Sequence, residues 1–230
     1  MGLGPPIARS VARVQQAIAL AASRSGRSSA DVCLLAVSKT RSAEEVAAAA
    51  DAGIGHFGEN YLQEALPKVR SHIGRDITWH FIGTVQSNKT RDIARNFQWV
   101  HTLDRNRIAE RLNSSRAGLA PLDVCIEVNI DDEPQKSGIA PDAIGDLIDA
   151  VRGLEHLRLR GLMVIPAPKS ETHSMRDSFS LTADLFHRHR PLGGPHWDTL
   201  SMGMSDDFSQ AIEEGATCVR IGTAIFGPRH

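Results

Sequence analysis

Val32-Cys33-Leu34-Leu35-Ala36-Val37-Ser38, with Lys39 directly after it, is the stretch that decides the fold. The run is apolar throughout instead of alternating, which marks a strand covered on both faces, as in a parallel sheet. Seven more runs of strand type follow, at 54–58, 78–83, 99–102, 123–129, 159–165, 196–202 and 217–222. Between them the spacing turns helical: Ile144, Leu147, Ile148 and Val151 share one helix face, and so do Met175, Phe179, Thr182 and Phe186. Strand and helix therefore alternate along the chain.

The start and stop signals agree with this division. Ser42 with Glu45 makes a capping box, Pro141 suits a first helical turn, and Gly53, Gly153 and Gly215 stand where helices end. Ahead of the first strand, Ile7, Val11, Val14, Ile18 and Ala21 predict a leading helix from Pro6 toward Gly26, able to cover barrel wall where a terminal helix is missing. Eight strand–helix units in 230 residues fit a compact α/β fold, a (β/α)₈ TIM barrel, better than an open doubly wound sheet. We expect one domain over 1–230, with the leading helix in 1–27, the barrel in 32–227 and no material for a second domain after the eighth strand.

Charge narrows the partners. With 26 basic and 27 acidic residues well mixed and a net charge of −1, no broad cationic face for nucleic acid or anionic lipid is implied. No stretch approaches the roughly 18 apolar residues of a membrane span, so a cytoplasmic protein is expected, and we expect it to be a monomer. Cys33, Cys125 and Cys218 each lie inside an apolar run and read as buried free thiols of a reducing compartment. His187-Arg188-His189 is the densest histidine cluster, but its spacing divides the rings between sides of a helix and predicts no metal site.

Barrel active sites lie at the carboxyl ends of the strands, which here carry Lys39, Asn60, 86–89, Asn129, Pro166, Ser201 and Thr223. An ordinary lysine has a pKa of about 10.4, leaving only about one amine in two thousand neutral at pH 7; desolvation or a neighbouring cation raises that fraction. Across the mouth, Gly222-Thr223-Ala224-Ile225-Phe226 can begin a short helical turn, and barrels often seat phosphate in the loops after strands seven and eight. Ser201 and Ser205 add hydroxyls, although Ser205 before Asp206 and Asp207 also fits a helix cap, which favours Ser201. An amine facing an anion cradle is the arrangement that holds an aldehyde bearing a phosphate. Arg220 alternates with Val219 and Ile221 and should point inward, either paired with Glu127 or donating to the ring nitrogen of a bound cofactor. A cation at that nitrogen weakens the ring as an electron sink.

Two nucleotide motifs fail on context. Gly53-Ile54-Gly55-His56-Phe57-Gly58 follows a helix and enters a strand, the reverse of a dinucleotide fingerprint, and Asn88 replaces the second glycine a P-loop needs.

Taken together, Ala36-Val37-Ser38-Lys39-Thr40, Phe57-Gly58-Glu59-Asn60, Trp79-His80-Phe81-Ile82-Gly83 with Gln86-Ser87-Asn88-Lys89, Lys136-Ser137-Gly138, Gly161-Leu162-Met163, Ser201 to Asp207 and Arg220 to Gly227 resemble the pyridoxal phosphate homeostasis protein family nearly end to end. That family's barrel is similar to the N-terminal domain of alanine racemase. The resemblance implies pyridoxal 5′-phosphate held as an aldimine at Lys39, phosphate contacts from Ser201, Gly222 and Thr223, ring contact from Asn60 and a pyridine-nitrogen contact from Arg220. It departs at Thr84-Val85 and at Asp131-Asp132-Glu133-Pro134-Gln135, which puts loop contacts in question.

The implied role is a carrier or buffer of the vitamin B6 pool that affects amino-acid and keto-acid balance, with no strong turnover. A racemase of this type needs a tyrosine on the opposite ring face, and Tyr61, beside Asn60 at a helix start, is the one tyrosine in the chain. The alternatives are a racemase or decarboxylase, a barrel lyase or aldolase using Lys39 for a Schiff base, and an interaction protein handing cofactor to apo-enzymes. Lys89 and Lys136 stand open as secondary attachment points.

Overall fold

Eight parallel strands close on themselves in sequence order: β1 (Cys33–Val37), β2 (His56–Glu59), β3 (Thr78–Phe81), β4 (Trp99–Leu103), β5 (Leu122–Val128), β6 (Leu157–Val164), β7 (Thr199–Ser201) and β8 (Cys218–Ile221). The computed structural model describes residues 4–167 and 174–228. Closure is made by β1 and β8, where Cys33 faces Cys218, Leu35 faces Arg220 and Ala36 faces Ile221. The expected barrel is the observed one.

Each strand divides its residues between two environments. Side chains turned outward, such as Ala36, Phe57, Trp79, Val100, Val124, Leu162 and Ile221, enter one continuous apolar layer under the helices. The inward set is different: Cys33, Leu35, Val37, Ile82 and Cys218 form a small separate apolar group. Buried polar residues complete the strands, His80 and His101 on β3 and β4, Glu127 on β5, Ser201 on β7 and Arg220 on β8. A barrel interior of this size is a packed core, so these groups have to satisfy one another.

The leading helix, α1 (Gly4–Arg24), buries Ile7, Val11, Val14, Ile18 and Ala21. It packs on α2 (Ala43–Asp51), α8 (Phe208–Glu213) and α9 (Thr223–Phe226), covering the seam where first and last strands meet. The capping box is present, Ser42 Oγ accepting from the Glu45 amide while the Glu45 carboxylate accepts from that of Ser42. At the other end of α2, Gly53 at φ +96° lets its own N–H reach Ala50 O and that of Ile54 reach Ala49 O, which stops the helix. Ile54 thus belongs to the helix stop, and β2 begins at His56.

The seventh strand is shorter than the 196–202 expected, because the chain leaving α7 (Met175–Gly193) first has to turn. Trp197 N–H donates to Gly194 O, its indole donates to Phe186 O at 2.9 Å, and its ring stacks on Phe186. Those contacts use the residues before Thr199. The other helices, α3 (Leu62–Ser71), α4 (Thr90–Asn96), α5 (Asn106–Arg116) and α6 (Ile144–Arg152), follow their strands, with Pro141 in a short 3₁₀ turn ahead of α6.

Gly161 tests the packing of β6 against β7. It sits at φ +147°, and a Cβ there would lie 1.9 Å from Thr199 O and 2.9 Å from the Phe186 ring. Gly161→Ala should cost more than about 3 kcal/mol, read as a lower urea midpoint at unchanged m-value.

Candidate functional site

The turn after β1 is built from below. Ser38 is fully buried; its hydroxyl donates to Glu59 Oε1 at 2.6 Å, and Lys68 Nζ donates to the same oxygen at 2.8 Å and to Ser38 O at 2.7 Å. This ion pair joins the ends of β1 and β2 to α3, fixing both the Lys39 turn and the Asn60 turn. Burial pushes the Glu59 carboxyl up, against the opposing pull of Lys68 and Ser38. Thr40 has φ +64°, a conformation β-branched residues avoid, and its N–H donates to Glu64. Backbone strain of this sort beside a candidate lysine is held by the surrounding bonds.

Lys39 and Asn60 open onto a cavity of about 270 Å³ at the carboxyl ends of the strands, shared with Arg220, Gly222 and Thr223. Its lining holds three cations, Lys39, Arg41 and Arg220, against the single carboxylate of Asp206. Val37, Ile82, Ile165 and Met204 supply an apolar wall. Arg41 is anchored by donating to Gly227 O and Pro228 O just past α9. The Asn60 Oδ1 is buried without a hydrogen-bond partner.

Arg220 points inward as its alternation predicts, but the ion pair with Glu127 is not formed. Its guanidinium donates instead to Ser201 O, Ser201 Oγ and Val164 O at 2.8 to 2.9 Å. These bonds use three of its five N–H groups. These acceptors are strand ends, Ser201 closing the adjoining β7 and Val164 closing β6 beyond it. Ser201 consequently sits beneath the cavity instead of lining it, while Ser205, the less favoured hydroxyl, lines it directly.

Below Ser201 runs a row of imidazoles. His56 Nδ1 lies 3.0 Å from His80 Nε2, His80 Nδ1 lies 2.9 Å from His101 Nε2, and His101 Nδ1 lies 2.9 Å from Ser201 Oγ. Burial lowers all three, His101 to about 3 with Arg220 adding to the effect, so the row is neutral at pH 7. Each neutral ring has one donor and one acceptor. Arg220 already donates to Ser201 Oγ, and the serine hydrogen is then available to His101 Nδ1, which gives the row one direction.

Glu127 lines a second cavity of about 220 Å³ that shares Asn60, Ile82 and Ile165 with the first. Its Oε2 is buried without a partner, and burial, reinforced by Asp104 and opposed by Arg220, raises it to about 7. Lys136 lines this second cavity, paired with Glu133 and donating to Ile165 O. Lys89 precedes α4 and lines neither cavity. Tyr61 precedes α3 at 55% exposure and also lies outside both. Among the described residues, no three or more His, Cys, Asp or Glu side chains are grouped to hold a metal ion, and no helix is long and apolar enough to cross a membrane.

Of the expected site residues, Lys39, Asn60, Arg220, Gly222 and Thr223 meet in one cavity and Ser201 supports it through Arg220. Arg41, the Glu59–Lys68 pair and the histidine row escaped the sequence reading. The inward phase of His56, His80 and His101, matching that of Arg220, was the signal available for the row.

Two measurements follow. Nitrogen NMR of the imidazoles should find His101, His80 and His56 as Nε2–H tautomers; an Nδ1–H at His101 would contradict the donor order. Folded Glu127 holds its proton more tightly than unfolded Glu127, so its contribution to stability is lost as pH rises from its ordinary 4.5 to about 7. Glu127→Gln should therefore match wild type near pH 4 and exceed it by roughly 2–3 kcal/mol at pH 8 in urea unfolding.

The family profile for the alanine racemase N-terminal domain matches residues 10–230. The pyridoxal phosphate homeostasis protein of Pseudomonas aeruginosa is 53% identical over 224 residues, 97% of this chain and 96% of that one. Its counterpart in Escherichia coli is 51% identical over 231 residues, covering 97% of each chain. Among solved structures, PipY of Synechococcus elongatus with PLP bound superposes with a TM-score of 0.79 at 34% identity, covering 92% of this chain and 99% of that chain. A closed eight-stranded barrel, a cation-rich mouth and half-identical relatives along nearly the whole length agree, and the chain belongs to the pyridoxal phosphate homeostasis protein family.

Proposed function

We propose that this chain binds pyridoxal 5′-phosphate and carries or buffers it, maintaining the vitamin B6 pool without strong turnover. The carrying observation is that a lysine amine and an arginine-bearing, glycine-threonine turn line one cavity from opposite sides of the β1–β8 seam. The names of the relatives and the PLP-bound PipY structure support the same reading.

The residues fit the cofactor. Its dianionic phosphate suits a mouth with two arginines, Arg41 and Arg220, and one carboxylate, with the amides of Gly222 and Thr223 as donors and Ser201 acting through Arg220. The apolar wall of Val37, Ile82 and Met204 suits the flat ring, and the unpartnered Asn60 Oδ1 suits a ring substituent that donates. Bound there, the aldehyde supplies a carbon that the Lys39 amine can join as an imine. The neighbouring cations Arg41 and Arg220 favour the neutral amine that this needs.

Arg220 retains two N–H groups to place against the ring nitrogen. A cation held there by carbonyls keeps the ring a poor electron sink, which favours holding the cofactor over carbanion chemistry. Tyr61 lies outside the cavity, so the racemase arrangement has no counterpart at that residue. We further propose a cytoplasmic monomer that passes cofactor to apo-enzymes.

The purified protein should be yellow, bleach with borohydride and retain a covalent adduct on the peptide carrying Lys39. Lys39→Ala should lose that colour and adduct. An adduct of equal stoichiometry on Lys89 or Lys136 in wild type would overturn the assignment, and a colourless protein that cleaves sugar phosphates would favour a Schiff-base lyase.

A further inference from the structure

We propose that Cys33 and Cys218 form a reversible disulfide inside the barrel when the protein meets a hydroperoxide, and that this bond reports to the cofactor cavity through Ser201 and Arg220. The second half rests on the pyridoxal phosphate reading above; the first does not.

The placement comes from strand register. Cys33 opens β1, Cys218 opens β8, and the two are direct partners across the seam. Both belong to the inward-facing apolar group with Leu35, Val37 and Ile82. Neighbouring strands run about 4.8 Å apart, inside the roughly 4.4–6.8 Å that disulfides span between Cα atoms. The facing thiols influence one another, which pushes Cys33 up and holds Cys218 down, with the Arg220 charge also favouring the Cys218 thiolate. Cys33 is half-buried and Cys218 is 3% exposed, so the route in runs past Cys33. Cys125 is also inside the barrel, but on β5, which pairs with neither strand.

The chemistry balances with a hydroperoxide as oxidant. The Cys218 thiolate attacks the terminal peroxide oxygen; an S–O bond forms, the O–O bond breaks, and the leaving oxyanion takes a proton to become water or an alcohol. Cys33 sulfur then attacks Cys218 sulfur, forming S–S and breaking S–O, and the departing hydroxide takes the Cys33 thiol proton to become a second water. Two thiols are oxidised, one peroxide is reduced, and a dithiol reductant reverses the change.

The link to the cavity is a short chain of bonds. Ser201 is the register partner of Cys218 across β7 and β8, and its Oγ accepts from Arg220 at 2.9 Å and lies 2.9 Å from His101 Nδ1. A disulfide draws the Cys218 sulfur toward β1 and away from Ser201, and Arg220, whose guanidinium leans on Ser201, lines the cavity with Lys39.

The test treats the full-length protein with hydrogen peroxide, quenches and digests it. A Cys33–Cys218 cross-linked peptide and a fall from three free thiols to one, restored by dithiothreitol, are expected. Cys125→Ala should keep the cross-link and Cys33→Ala should abolish it. Oxidation of Cys33 or Cys218 beyond the sulfenic acid without cross-linking, or a bond to Cys125, would overturn the pairing. Titration with pyridoxal 5′-phosphate, read by absorption, should be roughly threefold to tenfold weaker for the oxidised protein, with Cys33→Ala insensitive to peroxide. Equal titrations of cross-linked and reduced protein would overturn the coupling. If neither form takes up pyridoxal 5′-phosphate while the cross-link forms, the cofactor reading fails and the disulfide stands.

Discussion

A guanidinium that cannot give up its charge sits inside this barrel, and much of the interior is arranged around it. Arg220 is 4% exposed and is satisfied by the carbonyls of Val164 and Ser201 and by the Ser201 hydroxyl. Leaving a buried charge unpaired would cost several kcal/mol, so the ends of β6, β7 and β8 are committed to one geometry. The same charge presses on its neighbours, adding to burial in keeping His101 neutral and competing with burial at Glu127. The interior polar groups therefore behave as one network, in which a change at one end is felt along several strands.

On the other side of the mouth the Glu59–Lys68 pair does comparable work for Lys39. Both partners are buried, and the shared oxygen also accepts from Ser38. Such a pair contributes little net stability compared with an apolar replacement, but breaking it by removing one partner is costly. Its value here is positional, because it ties the two turns that present Lys39 and Asn60 to a single helix.

The barrel was legible because most of the strands are continuous apolar runs and the segments between them show helical spacing, so period separated the two. The strand ends were less so. The chain at 196–198 has strand-like composition, yet Trp197 is needed against Phe186, and Ile54 is recruited to stop α2. At the mouth, strand-end position singled out Lys39, Asn60 and Thr223, alternation turned Arg220 inward, and these residues line one cavity with Gly222. Partner choice did not follow: Glu127 as mate for Arg220 and Ser201 as cavity lining were both reasonable by alternation. Carbonyl acceptors, which have no sequence signature, decided them otherwise. The histidine row was hidden for a similar reason, its members being spread over three strands and meeting only through barrel curvature.

The seam between β1 and β8 also carries a consequence for biogenesis. Lys39 lies near the start of the chain and Gly222-Thr223 near the finish, and they share a cavity only because the first strand pairs with the last. A nascent chain emerges from its amino end, so α1 and β1 wait without their permanent neighbour until β8 has cleared the ribosome. Contacts this distant in sequence slow closure. The cavity is thus assembled last, and a ribosome-bound chain lacking β8 exposes Lys39 before the Gly222-Thr223 turn stands across from it.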